Sequence, residues 1–151
     1  MRELPLQAAG GLRRLLCIGA HCDDIEIGCG GTVLSLLAAN PALEVHWVVF
    51  SSGNLRAAEA RASAAAFLGP APQHQVVIKD FRNSFFPAET ATIKPFFESL
   101  KAVAPDLVLT HHRGDFHQDH RVLGELTWNT FRDHLILEYE IPKYDGDLGR
   151  P

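Results

Sequence analysis

Short aliphatic and aromatic runs alternate with helical patterns of apolar and polar residues along most of the chain. Five of the runs have the composition of β-strands and cover residues 15–20, 45–50, 75–81, 106–111 and 134–141. Four helical segments lie between them, over residues 30–40, 56–68, 90–103 and about 119–131. Residues 1–14 come before the first strand and are expected to form a flexible leader. The remainder, 15–151, is then one domain.

Strands that alternate with helices predict βαβ units and a parallel sheet. The first two strands are almost continuously apolar, which is typical of strands covered by helices on both faces. We therefore predict an α/β fold of the Rossmann-like, doubly wound type, with a mostly parallel sheet and helices on both faces. Ligands of such sheets bind beyond the carboxyl ends of the strands, where the strand order reverses. The functional residues are therefore expected directly after strands one and four.

Composition and charge restrict the class of protein further. The chain has 151 residues, 46% of them hydrophobic and 21% charged, which excludes a disordered chain. A net charge of −4 provides no basic surface for nucleic acid. No apolar run approaches the roughly 20 residues of a membrane span. The three cysteines (Cys17, Cys22 and Cys29) are a poor disulfide framework, and no signal peptide precedes them, so we expect a cytoplasmic location.

Residues that commonly bind metals follow strands one and four. The first cluster reads AHCDDIEIGCGGT over residues 20–32, and the second reads HHRGDFHQDHR over residues 111–121. A catalytic zinc takes three protein ligands from histidine and carboxylate and keeps a fourth position open. His21 and Asp24 can face one ion from a tight turn, and His120 can supply the third ligand. Asp23 is then left beside the metal, where a carboxylate can accept a proton from water.

The two clusters together resemble the zinc-dependent LmbE-like or PIG-L N-acetylglucosaminyl deacetylases. The first motif of that family is usually written AHPDDE-x-x-GCGGT, and the second is roughly H-x-x-G-D-x-H-x-D-H-R. The helix with Arg56 and Glu59 and the stretch YEIPKYDGDL are also similar. The resemblance implies Zn²⁺, or another divalent metal such as Fe²⁺, as cofactor. It implies a small-molecule N-acetylated amino-sugar conjugate of the GlcNAc type as substrate, with acetate as product.

The resemblance also implies roles for single residues. His21, Asp24 and His120 would bind the metal, and Asp23 would be the general base. His117 would stabilise the tetrahedral oxyanion, with Asp119 orienting that histidine. Arg56 would position the substrate. There are two departures: Cys22 replaces the usual proline, and the chain stops at Pro151, so we expect a C-terminally shortened domain.

Other interpretations remain open from the sequence. Two histidines and one carboxylate also describe a non-haem Fe(II) site. The domain could instead be a non-catalytic nucleotide- or sugar-binding module, or it could hold a metal without being a competent enzyme.

Gly28–Gly31 fits a tight turn better than a phosphate-binding loop, because Val33 stands where a third glycine would be needed. One of His111 and His112 is expected to face the site. Self-association is also expected, because exposed aromatics and an open sheet edge favour it.

Overall fold

Five parallel strands form a single sheet in the computed structural model, which describes residues 11–69, 71 and 73–144. The strands are β1 (Arg14–Gly19), β2 (Glu44–Val49), β3 (His74–Ile78), β4 (Leu107–His111) and β5 (Leu135–Tyr139). Their order is β3-β2-β1-β4-β5, and every neighbouring pair is parallel. The strand order therefore reverses between β1 and β4. The predicted α/β, doubly wound fold is confirmed.

Four helices cover the two faces of the sheet. They are α1 (Asp24–Ala39), α2 (Asn54–Leu68), α3 (Phe86–Ser99, followed by a 3-10 turn at Leu100–Val103) and α4 (Gln118–Thr130). Side chains of α1 and α2 share one apolar cluster with alternate residues of β1, such as Leu15 and Cys17. Side chains of α3 and α4 share a second cluster with the other residues of β1, Leu16 and Ile18. The continuous apolar character of β1 follows from this burial on both faces.

Helix α1 begins earlier than the sequence predicted. It starts at Asp24 rather than at residue 30, so Gly28–Gly31 lies inside a helix and not in a tight turn. The glycines are used for close packing instead. A Cβ on Gly28 would overlap the ring of Tyr139, and one on Gly30 would lie 2.6 Å from Phe67 Cε1. Tertiary packing has therefore overridden the low helix propensity of glycine.

The predicted leader lies mostly outside the described residues, and its boundary needs a correction. Leu12 is buried in the core, and Arg14 is the first residue of β1. The carboxylate of Asp106 accepts hydrogen bonds from the backbone N–H groups of Arg13 and Arg14, both at 2.9 Å. The chain is thus already fixed before residue 15.

None of the helices within the described residues has the length and apolar composition needed to cross a membrane.

Candidate functional site

The two clusters meet at the carboxyl ends of β1 and β4, which are neighbours in the sheet. His21 follows β1, and Asp24 is the first residue of α1. His120 lies in the first turn of α4, after β4. The reversal of strand order between β1 and β4 leaves space above this edge, because the following helices pack on opposite faces of the sheet.

Three side-chain donor atoms form a compact triangle at this edge. His21 Nδ1 lies 3.1 Å from His120 Nε2 and 3.3 Å from Asp24 Oδ2. His120 Nε2 lies 3.5 Å from the same carboxylate oxygen. Tetrahedral zinc with bonds of about 2.0–2.1 Å places its ligand atoms about 3.3–3.4 Å apart. The spacing and the chemistry of the three donors therefore fit a divalent metal.

The second nitrogen of each imidazole has a carboxylate partner. His21 Nε2 lies 3.3 Å from Asp119 Oδ2, and His120 Nδ1 lies 2.9 Å from Asp115 Oδ2. These contacts orient each ring and favour a proton on its outer nitrogen, so that the inner nitrogen is the one directed towards a metal. The two inner nitrogens lie 3.1 Å apart, and a cation bound between them would take the place of the extra proton of His21. Asp115 thus supports His120 without being one of the three donors.

The surrounding charges shift the pKa values of all three donors. Burial lowers the pKa of His21, but its hydrogen bonds to Asp119 and Asp24 outweigh burial and raise the pKa to about 9. Burial and the neighbouring His111 lower the pKa of His120 to about 4. The pKa of Asp24 is held well below its usual range, because contacts with His111 and His21 outweigh the effect of burial. Asp24 is therefore ionised and His120 neutral at neutral pH.

His111, rather than His112, is the strand-end histidine that reaches the site. Its ring is fully buried and stacks on His120 with centroids 4.0 Å apart. Its Nε2 lies 3.2 Å from Asp24 Oδ2, so Asp24, His111 and His120 form a second group of potential ligands. However, Nε2 also accepts a hydrogen bond from the backbone N–H of Ala20 at 3.0 Å. His21, whose inner nitrogen has no such donor, is the better candidate for the third ligand.

Asp23 and His117 flank the donor triangle. Asp23 directly precedes α1, is exposed, and makes no side-chain capping bond to the helix. His117 is the N-cap residue of α4, and its Nδ1 accepts the backbone N–H of Asp119 at 3.2 Å. The proton of a neutral His117 is consequently on Nε2. Burial and the nearby His21 lower the pKa of His117, which favours this neutral form.

Asp119 contacts His117 through its backbone N–H, and its carboxylate has other partners. Its two oxygens accept the backbone N–H groups of Ser84 at 2.6 Å and Phe86 at 3.1 Å, and one of them faces His21. These contacts involve the loop before α3, in which Ser84 has a left-handed φ of 66°. No pattern in the sequence predicted the hydrogen bond between this loop and Asp119.

The triangle opens into a cavity of about 570 Å³. Arg56, in the first turn of α2, lines it together with Asn83 and Ser84. The segment after β5 forms another wall, with Ile141, Pro142, Lys143 and Tyr144. The ring of Tyr144 also packs edge-on against His117, with centroids 5.1 Å apart. The sequence predicted Arg56 for this cavity but not the wall after β5.

Two positions of the first motif differ from the pattern of the family. Cys22 is half-buried, and its thiol belongs to neither of the two groups of potential ligands found within the described residues, one formed by His21, His117 and His120 and the other by Asp24, His111 and His120. Ile25 stands where the first motif has glutamate, and its side chain is buried in the core. The donor triangle therefore uses neither position.

Comparison with known proteins decides the family. The family model described as "GlcNAc-PI de-N-acetylase", PIG-L, matches residues 16–131, which include all of the predicted site residues. The chain belongs to the PIG-L family. It is 30% identical to the "uncharacterized deacetylase YaiS" of Escherichia coli K12, over 91% of this chain and 78% of that protein.

Solved structures with this fold include enzymes of more than one kind. The N,N'-diacetylchitobiose deacetylase of Pyrococcus horikoshii superposes with a TM-score of 0.65 at 23% identity, covering 83% of this chain and 51% of that one. The 4-carboxy-2-hydroxymuconate hydratase GalB of Pseudomonas putida superposes with a TM-score of 0.62 at 21% identity, covering 79% and 55%. This PIG-L family chain thus spans about half the length of either enzyme. At these identities the likeness establishes the fold alone.

Proposed function

We propose that this PIG-L family chain is a metal-dependent N-deacetylase that hydrolyses the acetamide of a GlcNAc-type amino-sugar conjugate. The observation that carries the proposal is the donor triangle of His21, Asp24 and His120, with Asp23 and His117 beside it in one cavity. Acetamide hydrolysis needs an acidified water, a base and a donor for the oxyanion, and these residues supply positions for each.

His21, Asp24 and His120 would hold the metal. Zinc held there would lower the pKa of water towards about 7 and polarise a carbonyl oxygen. Asp23 would accept the proton of the attacking water and later donate it to the departing sugar amine. His117 would donate its Nε2–H to the oxygen that becomes negative as the amide is attacked. Arg56 would position the conjugate at the cavity wall. The products are acetate and the free amino sugar.

The test is acetate release by the zinc-loaded protein from N-acetylglucosamine and N,N'-diacetylchitobiose. Replacing Asp23 by asparagine should lower kcat by about 10²–10⁴-fold, because the base is lost, while the zinc content stays at the wild-type value. Glu125→Gln, which removes an exposed carboxylate of α4, is the matched control and should leave the rate unchanged. An Asp23→Asn protein with bound zinc and full activity would exclude Asp23 as the base.

The same three donors could bind iron instead of zinc. Two histidines and one carboxylate with open positions are also the ligands of non-haem Fe(II) enzymes. Metal analysis of protein purified without oxygen separates the two, since a zinc enzyme would contain little iron. A non-catalytic sugar- or nucleotide-binding module would bind its ligand equally well in the presence of a chelator.

We further propose that the protein acts in the cytoplasm and self-associates. The three cysteines are free thiols, as expected in a reducing compartment. Leu135 and Leu137 are 46% and 42% exposed on the edge strand β5, which offers an apolar contact for a second copy. Sedimentation measurements of the whole chain would test the assembly.

A further inference from the structure

The chain turns back towards the donor triangle directly after β5. Residues 141–144 form a β-turn, in which the backbone N–H of Tyr144 donates to Ile141 O at 2.8 Å. Proline is favoured at the second position of such a turn because its φ is already fixed at about −65°, and Pro142 occupies that position. Ile141 is buried in the core and anchors the start of the turn. The sequence after β5 therefore determines where Tyr144 is placed.

A backbone hydrogen bond joins this turn to the loop that carries His117. The N–H of Phe116 donates to Tyr144 O at 2.8 Å. The carbonyl of Phe116 in turn accepts from Arg121 Nη1 at 2.8 Å, which ties the loop to α4. Both contacts are independent of the Tyr144 side chain. A substitution of that side chain therefore leaves the connection between turn and loop in place.

Three aromatic rings contact the imidazole of His117. His120 stacks on it with centroids 4.5 Å apart, and His21 approaches edge-on at 4.7 Å. Tyr144 makes the third contact, at 5.1 Å and an interplanar angle of 80°. His21 and His120 are candidate metal ligands, so a bound metal would hold both of them. Tyr144 has no such role, and it lies outside residues 16–131, which the PIG-L family model matches.

We infer that Tyr144 is a positioning residue, whose ring holds the imidazole of His117 in the orientation that leaves its Nε2–H available to the oxyanion. The inference rests on the proposed function, in which His117 is the oxyanion donor, and it adds a residue that acts through this donor. The hydrogen bond from the Asp119 N–H to His117 Nδ1 is 3.2 Å long, and one neutral hydrogen bond contributes only modestly. An edge-on ring contact at this centroid distance is a favoured geometry and adds to it.

Hydrolysis of N,N'-diacetylchitobiose by the zinc-loaded whole chain measures the effect. Tyr144→Ala should lower kcat by about tenfold with KM and zinc content unchanged, because a displaced catalytic group can cost up to about 10²-fold. Tyr144→Phe keeps the ring and should recover most of kcat. Trp128→Ala removes a ring of α4 outside the described lining of the cavity and should change neither constant. A wild-type kcat in Tyr144→Ala, or a rise in KM alone, would overturn the inference.

A double-mutant cycle distinguishes action through His117 from direct contact with the substrate. His117→Ala should lower kcat by about 10²–10³-fold, as expected for loss of an oxyanion donor. Addition of Tyr144→Ala should lower kcat no further, because the residue through which the ring acts is already absent. A further tenfold loss in the double variant would mean that Tyr144 acts on the substrate itself, and the positioning role would be wrong.

Nuclear magnetic resonance separates this inference from the proposed function, since it needs no turnover. In zinc-loaded protein with isotope-labelled histidines, Tyr144→Ala should broaden the ring resonances of His117, because the ring then exchanges between orientations. The resonances of His46, whose ring contacts Glu44 on β2, should stay as they are. If no acetate is released but His117 broadens, the deacetylase proposal fails and the positioning role stands. If acetate is released and the His117 resonances are equally sharp in both proteins, the positioning role is overturned.

Discussion

At the residue scale, the orientation of each imidazole in the donor triangle is set by the carboxylate that its outer nitrogen contacts. Asp119 fixes His21 and Asp115 fixes His120, so that both inner nitrogens point to the same small volume. Carboxylate partners of this kind set the tautomer and the orientation of a metal-binding histidine. The site is therefore prepared by residues that would not touch the metal.

The position of Asp119 leads to a prediction that distinguishes the structure from the expectation drawn from the sequence. Asp119→Asn should weaken zinc binding by about 10–100-fold, because one amide oxygen cannot accept from Ser84, Phe86 and His21 together. His112→Gln should leave zinc affinity unchanged, since His112 contacts Glu138 and none of the three donors. Competition with a chromogenic chelator measures both. Wild-type affinity in Asp119→Asn would show that this carboxylate does not support His21.

Protonation of His21 makes zinc binding depend on pH. Its pKa of about 9 means that His21 is a doubly protonated imidazolium at pH 6, whereas His120, with a pKa of about 4, is neutral. Zinc must displace the second proton, so its affinity should rise by about tenfold per pH unit until pH reaches about 9. Calorimetry at pH 6 in two buffers of different ionisation enthalpy should give about one proton released per zinc. Binding without proton release would contradict the raised pKa.

Sequence reasoning at this scale concerns residues that are tied to strand ends. His21, Asp24 and His120 were predicted to face one ion, and the structure brings their donor atoms within 3.5 Å of one another. It did not anticipate the partner of Asp119, because that contact depends on the left-handed backbone of Ser84, 35 residues away in the chain. Whether the three donors bind zinc stays a prediction.

At the scale of elements, helix α1 shows why the first residue of a helix was harder to predict than the presence of the helix. All five strands and four helices were predicted, but the glycines of Gly28–Gly31 argued against a helix at that point. The helix forms because small residues let it approach neighbouring side chains. Gly28 faces Tyr139, whose hydroxyl donates to Ile18 O at 2.6 Å and so cannot easily move aside. Local propensity contains no information about such a distant partner.

The same helix offers a matched pair of substitutions. Gly28→Ala should lower the free energy of unfolding by about 1–3 kcal/mol, because the new methyl group would overlap the Tyr139 ring. Gly31→Ala should raise it by about 0.5–1 kcal/mol, because nothing lies within 4 Å of the added Cβ and alanine favours the helix. Urea denaturation measures both. Equal effects of the two substitutions would contradict the packing of α1 against β5.

The whole molecule is needed to assemble the triangle, because His21 and His120 are 99 residues apart in the chain. One belongs to the β1–α1 connection and the other to α4, and only the sheet brings the two together. Yet four histidines (His111, His112, His117 and His120) lie within ten residues and could bind zinc locally in an unfolded chain. A metal that binds the unfolded chain equally well adds no stability to the fold.

Thermal unfolding therefore tests the assembly of the site. If zinc uses His21 together with Asp24 and His120, a free zinc concentration of about 100 Kd should stabilise the fold by about 2.7 kcal/mol. For a chain of this size the Tm should rise by about 5–10 °C, and a chelator should reverse the rise. His21→Ala keeps the local histidines but loses the distant donor, so it should retain some zinc without a comparable increase in Tm. An equal increase in that variant would place the metal on the local cluster, and the triangle across β1 and β4 would not be its binding site.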